Sequence, residues 1–250
     1  MIKNFLITIG RYMLFMKDVF RKPEKWRIFW RQLIVESDKL ILSSIILVGI
    51  ISLFIGGVIV IQTASNLSNP LIDKMFIGYA ARETLILEFC STMVALILAG
   101  KMGSNIASEI GCMRITEQID AMDMMGVNSA GFLVLPKVTA TTILSPLLML
   151  LSLLMGLIGG WIVVEATNII PPASYIMGIK SYWNGFYLFY SCFKMSLFCF
   201  MISSIAAFCG YYSKGGSLGV GKSSTQAIVF TSVLILLADL VVTQLMLYLL

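Results

Sequence analysis

The stretch from Leu40 to Ala64, LILSSIILVGIISLFIGGVIVIQTA, decides the fold class of this chain. It contains no charged residue, and it exceeds the about 20 apolar residues that are needed to cross a hydrocarbon core of roughly 30 Å. The run lies too far from Met1 to be a cleaved signal peptide, and no suitable small-residue cleavage site accompanies it. We therefore expect a true transmembrane helix here.

Four further apolar runs of similar length follow along the chain. They cover residues 84–103, 138–164, 187–212 and 226–250. Hydrophobic residues make up 58% of the 250 residues and charged residues only 12%, whereas soluble domains carry roughly 25% charged residues. The runs together predict an all-α integral membrane protein with about five transmembrane helices.

The basic residues are concentrated before the first span. The first 39 residues hold nine of the eighteen Lys and Arg residues and supply most of the net charge of +5. The positive-inside rule then predicts a cytoplasmic N-terminus and, after five spans, a C-terminus on the outer side. Trp26, Phe29 and Trp30 alternate with basic residues, which is typical of an amphipathic helix in the membrane interface. The alternative is an ordinary cytoplasmic arm. In both cases the positive charge favours contact with anionic lipid headgroups over nucleic acid.

Several kinds of chemistry are missing from the composition. The chain has no histidine, and its five cysteines form no C-x-x-C pair. Without histidine the chain can form no Ser-His-Asp triad and lacks the commonest metal ligand. We therefore expect no catalytic residue and no metal site.

The string GSLGVGKS, Gly216 to Ser223, fits the P-loop pattern G-x-x-x-x-G-K-[ST]. A P-loop needs a strand that delivers the glycine turn to a helix N-terminus within a parallel sheet. Here the string lies between the fourth and fifth apolar runs, in a connection of about a dozen residues that leaves no room for a sheet. We expect a glycine-rich cytoplasmic turn instead, with Ser223, Ser224 or Thr225 capping the next helix.

The segment between the second and third spans, Asn105 to Lys137, is too polar to cross a membrane and is compatible with a helix until Gly126. On one helix of residues 105–126, Ile115, Ile119 and Met122 share one side. Arg114, Glu117 and Gln118 share another at i, i+3 and i+4 spacing. Such a helix can dock on a partner, or it can be a solvated helix with an internal ion pair, and spacing alone leaves both open.

The same segment carries a family resemblance. EIGCMRITEQIDAMDMMGVN, Glu109 to Asn128, resembles the signature E-I-G-x-M-R-x-T-E-Q-I-x-A-x-x-x-M-G-V of MlaE-type (YrbE-like) permeases of lipid ABC transporters. Four further strings resemble family patterns in the same order: FIGGVIVIQ at 54–62, LAGKMGS at 98–104, PKVTA at 136–140 and GVGKSSTQAIV at 219–229. Glu88 and Lys194 match family positions, whereas LEFCS at 87–91 lacks the family's neighbouring Arg, Gly and Pro. Arg82 and Glu83 could supply charge nearby.

The resemblance implies a division into a cytoplasmic or interfacial arm, residues 1–39, and an MlaE-type permease domain, residues 40–250. It implies a multi-pass protein of the bacterial inner membrane with a periplasmic C-terminus, working as a homodimer. The chain would be the non-enzymatic permease of an ATP-driven transporter that moves phospholipid between inner and outer membranes. Its partners would be a cytoplasmic ATPase, which binds ATP and magnesium, and an MCE-domain periplasmic lipid-binding protein. No cofactor is expected in this chain.

The residue patterns and the resemblance together indicate two groups of functional residues. The coupling helix, residues 105–126, would contact the ATPase, and the substrate cavity would hold the polar residues of the spans. The proposed coupling residues are Glu109, Arg114, Glu117, Gln118 and Asp120, and the cavity candidates are Glu88, Lys194 and Asp239.

Two other functions remain as alternatives. A secondary transporter would need no ATPase and typically shows inverted repeats and paired charges within the membrane. A membrane-embedded enzyme acting on lipids would need nucleophiles or acids that converge near one membrane face. The sequence shows no internal repeat, and its few intramembrane charges are scattered.

Overall fold

A computed structural model describes residues 2–21, 26–67 and 73–249 of the chain. Every regular element in these ranges is helical, which confirms the predicted all-α class. Five helices are long and apolar enough to cross a membrane, as predicted: Trp26–Asn66, Met75–Ile115, Ser129–Thr167, Gly185–Tyr211 and Gly216–Met246.

The N-terminal arm consists of two helices, α1 (Ile2–Val19) and α2 (Trp26–Leu40). A 3-10 turn, Leu42–Ser44, joins α2 to α3 (Ile45–Asn66), so the first spanning helix changes to 3-10 geometry close to the boundary placed between residues 39 and 40. Helix α1 has one buried side and one exposed side, since Phe15 is only 2% exposed and Met13 is 67% exposed.

The second spanning helix is longer than its apolar run. It is built from five consecutive segments: α4 (Met75–Thr84), the π-helix π1 (Leu85–Met93), α5 (Val94–Leu98), the π-helix π2 (Ala99–Gly103) and α6 (Ser104–Ile115). The apolar run at 84–103 covers only its middle, because polar residues at both ends continue the helix without adding hydropathy. π-helical turns are uncommon and often occur at functional sites, and π1 contains Glu88.

The single helix expected over residues 105–126 is wrong. Helix α6 ends at Ile115, and a second helix, α7, covers Gln118–Met124. Between them Glu117 has a φ of 59°, in the left-handed region. A left-handed residue breaks a right-handed helix and redirects the chain. Gly126, with a φ of 80°, ends the segment.

The third to fifth spanning helices are α8 (Ser129–Thr167), α10 (Gly185–Tyr211) and α11 (Gly216–Leu249), and the short α9 (Pro172–Lys180) follows α8. The expected glycine-rich turn at 216–223 is also wrong, because these residues form the first turns of α11. The chain turns at residues 212–215 instead, where Gly215 has a φ of 95°. Ser223, Ser224 and Thr225 therefore lie inside the helix and do not cap it.

The chain divides into two compact units, and each is described by itself. The first unit comprises Met1–Leu42, Leu96–Leu144 and Leu197–Leu250. Within it α6 packs on α11, and Ile106, Ala107 and Ile110 of α6 are fully buried. Helix α6 is therefore buried in the core of this unit over residues 106–111.

The second unit comprises Ser43–Ala95 and Ser145–Ser196. Here α3 packs closely on α8, since a Cβ atom at Gly56 would overlap the carbonyl oxygen of Gly156. A Cβ atom at Gly159 would likewise overlap the backbone at Leu53. The glycine strings of these helices suit either a dimer seam or internal packing when judged from sequence. In the structure they serve packing within the chain.

Helices α4 and α9 of the second unit are also in close contact. A Cβ atom at Gly78 would lie 2.7 Å from the carbonyl oxygen of Tyr175. Tyr175 is fully buried, and its hydroxyl donates to the carbonyl oxygen of Leu157 at 3.2 Å. Burial raises the pKa of Tyr175 to about 12, so the hydroxyl stays protonated and keeps this bond at physiological pH.

Candidate functional site

The α6–α7 segment, residues 104–124, holds all five predicted coupling residues, and four of them lie around its left-handed turn. The turn brings Asp120 of α7 back toward the end of α6, where Nη1 of Arg114 donates to Oδ1 of Asp120 at 2.6 Å. Both side chains are substantially exposed, at 35% for Arg114 and 54% for Asp120. The pair therefore closes the turn without being desolvated.

The α6–α7 segment presents one buried and one exposed side. Ile119 is completely buried, while Glu117 and Gln118 at the turn are exposed. At the end of α7, Met124 is 89% exposed and Met125 is 72% exposed. Flexible methionine side chains suit adaptable protein interfaces, so the exposed side combines apolar contact area with polar groups.

Glu109, the fifth predicted coupling residue, lies in a different environment. Its Oε2 accepts from Nζ of Lys39 at 2.7 Å and from Nζ of Lys137 at 3.0 Å. Lys137 also donates to Oε1 of Glu36 at 2.6 Å, and its side chain is only 2% exposed. These four residues, which we call the Lys137 network, join α2, α6 and α8.

The Lys137 network was not foreseen from the sequence beyond Glu109. A buried lysine is stable in its charged form only when carboxylates compensate for lost hydration, and here two carboxylates surround one ammonium group. The PKVTA string pointed to Lys137 only as part of a resemblance. Glu36 lies 101 residues away along the chain, so no local spacing could have indicated their pairing.

The second unit holds two of the cavity candidates, and the structure brings them together. Nζ of Lys194, in α10, donates to Oε2 of Glu88 at 3.2 Å and to the carbonyl oxygen of Leu87 at 3.1 Å. Lys194 is completely buried, whereas the Glu88 side chain is 41% exposed. The Tyr190 ring lies 5.6 Å from the ammonium group. The result is a polar site with a buried cation and an accessible carboxylate.

Asp239, the third cavity candidate, lies in α11 within the first unit. It is half-buried, and it is not an unpaired carboxylate. Because α11 begins at Gly216 rather than near residue 226, Asp239 lies about two thirds of the way along the helix, further from its start than the sequence indicates. It belongs to a different unit from Glu88 and Lys194.

Arg82 is a further charged residue whose role the sequence did not reveal. Its side chain is completely buried and forms an ion pair with Glu83. Nη1 donates to the carbonyl oxygens of Ile179 and Ser181 at 2.6 and 2.7 Å. These carbonyl groups lie at the end of α9, where a helix leaves acceptors unsatisfied. Arg82 thus fastens the end of α9 to α4.

The P-loop-like string offers no phosphate cradle. It is helical from Gly216 and follows α10 rather than a strand. Lys222 is exposed and contributes to a shallow, open groove of about 580 Å³ that Leu218 and Gln226 also line. Val220, within the string, packs close to Gly111 of α6. A Cβ atom at Gly111 would lie 3.2 Å from the Val220 side chain, so the close approach of α11 to α6 explains the glycine at position 111.

Comparisons with known proteins agree on one family. A sequence model of the family described as Permease MlaE matches residues 33–245. A probable ABC transporter permease protein of Rickettsia bellii is 30% identical over 242 residues, covering 95% of this chain and 92% of that protein. A probable ABC transporter permease protein of Synechocystis is 32% identical over 201 residues, covering 77% of this chain and 73% of that one.

A plant protein is similar as well. The chloroplastic protein TRIGALACTOSYLDIACYLGLYCEROL 1 of Arabidopsis thaliana is 26% identical over 225 residues, which cover 88% of this chain and 63% of that protein. The matched part includes far more than the α6–α7 segment, so the likeness extends across the spanning helices.

Proposed function

This chain belongs to the MlaE permease family, and from that premise we propose that it moves phospholipid through a membrane with energy from a separate ATPase. It is an ABC transporter permease and a multi-pass membrane protein. A permease of this class supplies the membrane path, while a partner chain binds and hydrolyses ATP with magnesium.

The α6–α7 segment is the observation that carries the proposal. It begins with α6, the last segment of the second spanning helix, and the chain then changes direction at Glu117. Its exposed side offers Met124, Met125 and a polar rim to a partner. A short segment rigidly joined to a spanning helix can transmit a movement of the ATPase to the membrane domain. We therefore assign coupling to Arg114, Glu117, Gln118 and Asp120, while Glu109 acts through the Lys137 network.

The membrane path is proposed to carry a lipid. The Glu88–Lys194 pair offers a carboxylate and an ammonium group in otherwise apolar helices, which suits a headgroup at one end of an apolar molecule. Asp239, in the first unit, is a separate candidate for contact with the lipid. The Arabidopsis relative carries the name of a galactolipid, which is in keeping with a lipid substrate.

We further propose that two copies of the chain assemble with the ATPase and with an MCE-domain protein in the bacterial inner membrane. The wide apolar exposure of α11 supports a helical partner or lipid along it, since Phe230, Leu237 and Leu240 are 57%, 58% and 69% exposed. The distribution of Lys and Arg favours a cytoplasmic N-terminus and a periplasmic C-terminus.

The test is reconstitution of the complex after purification in mild detergent. The purified complex should contain an ATPase and two copies of this chain by native mass spectrometry. In liposomes it should move a fluorescent phospholipid in the presence of ATP and magnesium but not of a non-hydrolysable analogue.

The alternatives predict other results. An intact complex without an ATPase, which moves solute down an ion gradient, would support a secondary transporter, and the Glu88–Lys194 pair is a feature which that alternative also predicts. Chemical change of the lipid during the assay would support a membrane-embedded enzyme. Either result would contradict the proposal.

A further inference from the structure

Helix α1 is attached to the end of α10 by a cluster of aromatic side chains in the first unit. The Phe15 ring, which is 2% exposed, lies 5.8 Å from the Phe208 ring and 5.1 Å from the Tyr211 ring, measured between centroids. One turn earlier, the hydroxyl of Tyr12 donates to Oγ of Ser204 at 2.8 Å. Because aromatic rings in contact fix each other's orientation, α1 sets the position of Tyr211.

The same end of α1 also holds the beginning of α8. Nδ2 of Asn128 donates to the carbonyl oxygen of Asp18 at 2.8 Å. Oδ1 of Asn128 accepts from the backbone N–H of Gly131 at 3.2 Å, which is the geometry of an N-cap. The hydroxyl groups of Ser129 and Tyr211 lie 2.9 Å apart and form a hydrogen bond. Helices α1, α8 and α10 therefore meet around Tyr211.

Tyr211 in turn contacts the α6–α7 segment. The guanidinium carbon of Arg114 lies 5.8 Å from the centroid of the Tyr211 ring, within the range of a cation–π interaction. Arg114 also pairs with Asp120 across the left-handed turn. A continuous set of contacts thus runs from Phe15 through Tyr211 and Arg114 to α7.

We propose that Phe15 and Tyr211 are positioning residues for the α6–α7 segment, so that α1 belongs to the coupling apparatus. The Tyr211 ring supports the Arg114 guanidinium group, and Phe15 keeps the Tyr211 ring in place. Without them Arg114 retains only its exposed pair with Asp120, which is too weak to fix the turn alone. The inference rests on the proposed coupling function, and it assigns to an N-terminal helix a part in energy transfer.

The experiment compares four variants in the reconstituted complex. Phe15→Ala and Tyr211→Leu remove a ring from the contact path. Tyr211→Phe keeps the ring under Arg114 and loses only the hydroxyl. Met13→Ala, on the exposed side of the same helix, is the matched control. The measured quantity is the ratio of lipid moved to ATP hydrolysed, because a purely structural defect lowers both rates and the protein yield together.

We expect Phe15→Ala and Tyr211→Leu to lower this ratio about threefold or more at normal yield, while Tyr211→Phe and Met13→Ala keep the wild-type ratio. A wild-type ratio in both ring-removing variants would overturn the proposal. An equal loss in Tyr211→Phe and Tyr211→Leu would also overturn it, because the hydroxyl and not the ring would then be responsible. If Phe15→Ala fails to assemble, Phe15→Leu, which keeps apolar volume without a ring, takes its place.

A second readout separates this proposal from the proposed function. Cys112 is exposed on α6, two residues before Arg114, and its rate of maleimide labelling reports the position of the segment without any transport. Cys112→Ser gives the background from the other thiols. Phe15→Ala and Tyr211→Leu should change this rate, and Met13→Ala should not. An unchanged rate contradicts the positioning role, whereas absence of ATP-driven lipid movement in the wild type contradicts the proposed function alone.

Discussion

Helix α6 carries two charged side chains, Glu109 and Arg114, about one and a half turns apart, and their surroundings differ sharply. Glu109 pairs with Lys137, whose side chain is 2% exposed, while Arg114 pairs with Asp120, whose side chain is 54% exposed. Removing one partner of a buried pair leaves a charge without solvent or counter-charge, whereas exposed pairs contribute little. One end of α6 is thus held firmly, and the other remains free to adjust to a partner.

The largest effect is expected for Lys137→Ala. The substitution leaves Glu36 without its cation and Glu109 with Lys39 alone, so it should lower the free energy of unfolding by about 3–5 kcal/mol. Thermal unfolding in detergent and the yield of membrane-inserted protein measure this change. Lys137→Met combined with Glu36→Gln, which removes the carboxylate that has lost its cation, should recover part of the loss. Wild-type unfolding of Lys137→Ala would show that the network does not stabilise α6.

A smaller, asymmetric effect is expected at the Glu88–Lys194 pair. Glu88→Ala leaves the fully buried Lys194 without its carboxylate and should destabilise the protein by about 2 kcal/mol. Lys194→Ala leaves a carboxylate that is 41% exposed and can be hydrated, so the loss should be smaller. The midpoints of thermal unfolding of the two variants decide this order. Equal losses, or the reverse order, would contradict the burial argument.

Arg114→Ala should change stability by no more than about 1 kcal/mol, because its pair with Asp120 is exposed. The ratio of lipid moved to ATP hydrolysed should nevertheless fall, since the turn at Glu117 loses the contact that closes it. Arg114→Lys, which keeps the charge and can still reach Asp120, is the matched control. A stable Arg114→Ala variant with normal coupled transport would remove Arg114 from the coupling set.

The smallest effect is expected for Lys222→Ala. The side chain is exposed on α11, and exposed substitutions of this kind usually alter stability by less than about 0.5 kcal/mol. ATP hydrolysis by the complex should stay at the wild-type rate. Loss of nucleotide binding by an assembled complex would mean that Gly216 to Ser223 is a phosphate site after all.

The spanning helices were predictable because hydropathy follows directly from sequence, and each of the five apolar runs overlaps one spanning helix over almost all of its described residues. The ends of these helices were not predictable from hydropathy, because the second spanning helix continues through residues 75–83 and 104–115, which include polar side chains. The break at Glu117 has no adjacent proline or glycine that would predict it, yet Glu117 has a left-handed φ of 59°. Conversely, the glycines after Gly216 indicate a turn locally but lie in a helix.

The candidate site was predictable to a similar degree. Resemblance identified the α6–α7 segment and both members of the Glu88–Lys194 pair, yet nothing in the spacing indicated that Glu88 and Lys194 meet, since 106 residues separate them. Pairing across the fold also explains why Lys137 and Arg82 were missed. Lys137 donates to Glu36, 101 residues away in sequence, and Arg82 donates to the carbonyl oxygen of Ile179, 97 residues away.

Site-specific photo-crosslinking from Met124 tests the central claim, that the α6–α7 segment contacts the ATPase, most directly. A photoreactive amino acid replaces Met124, which is 89% exposed, and in a matched control it replaces Met177 of α9, which is 64% exposed. One spanning helix, α8, separates the two positions along the chain, so the proposed topology puts them on opposite sides of the membrane. We expect a crosslink from position 124 to the ATPase chain and none from position 177. Crosslinking from position 177 alone, or from neither position in an intact complex, would contradict the account.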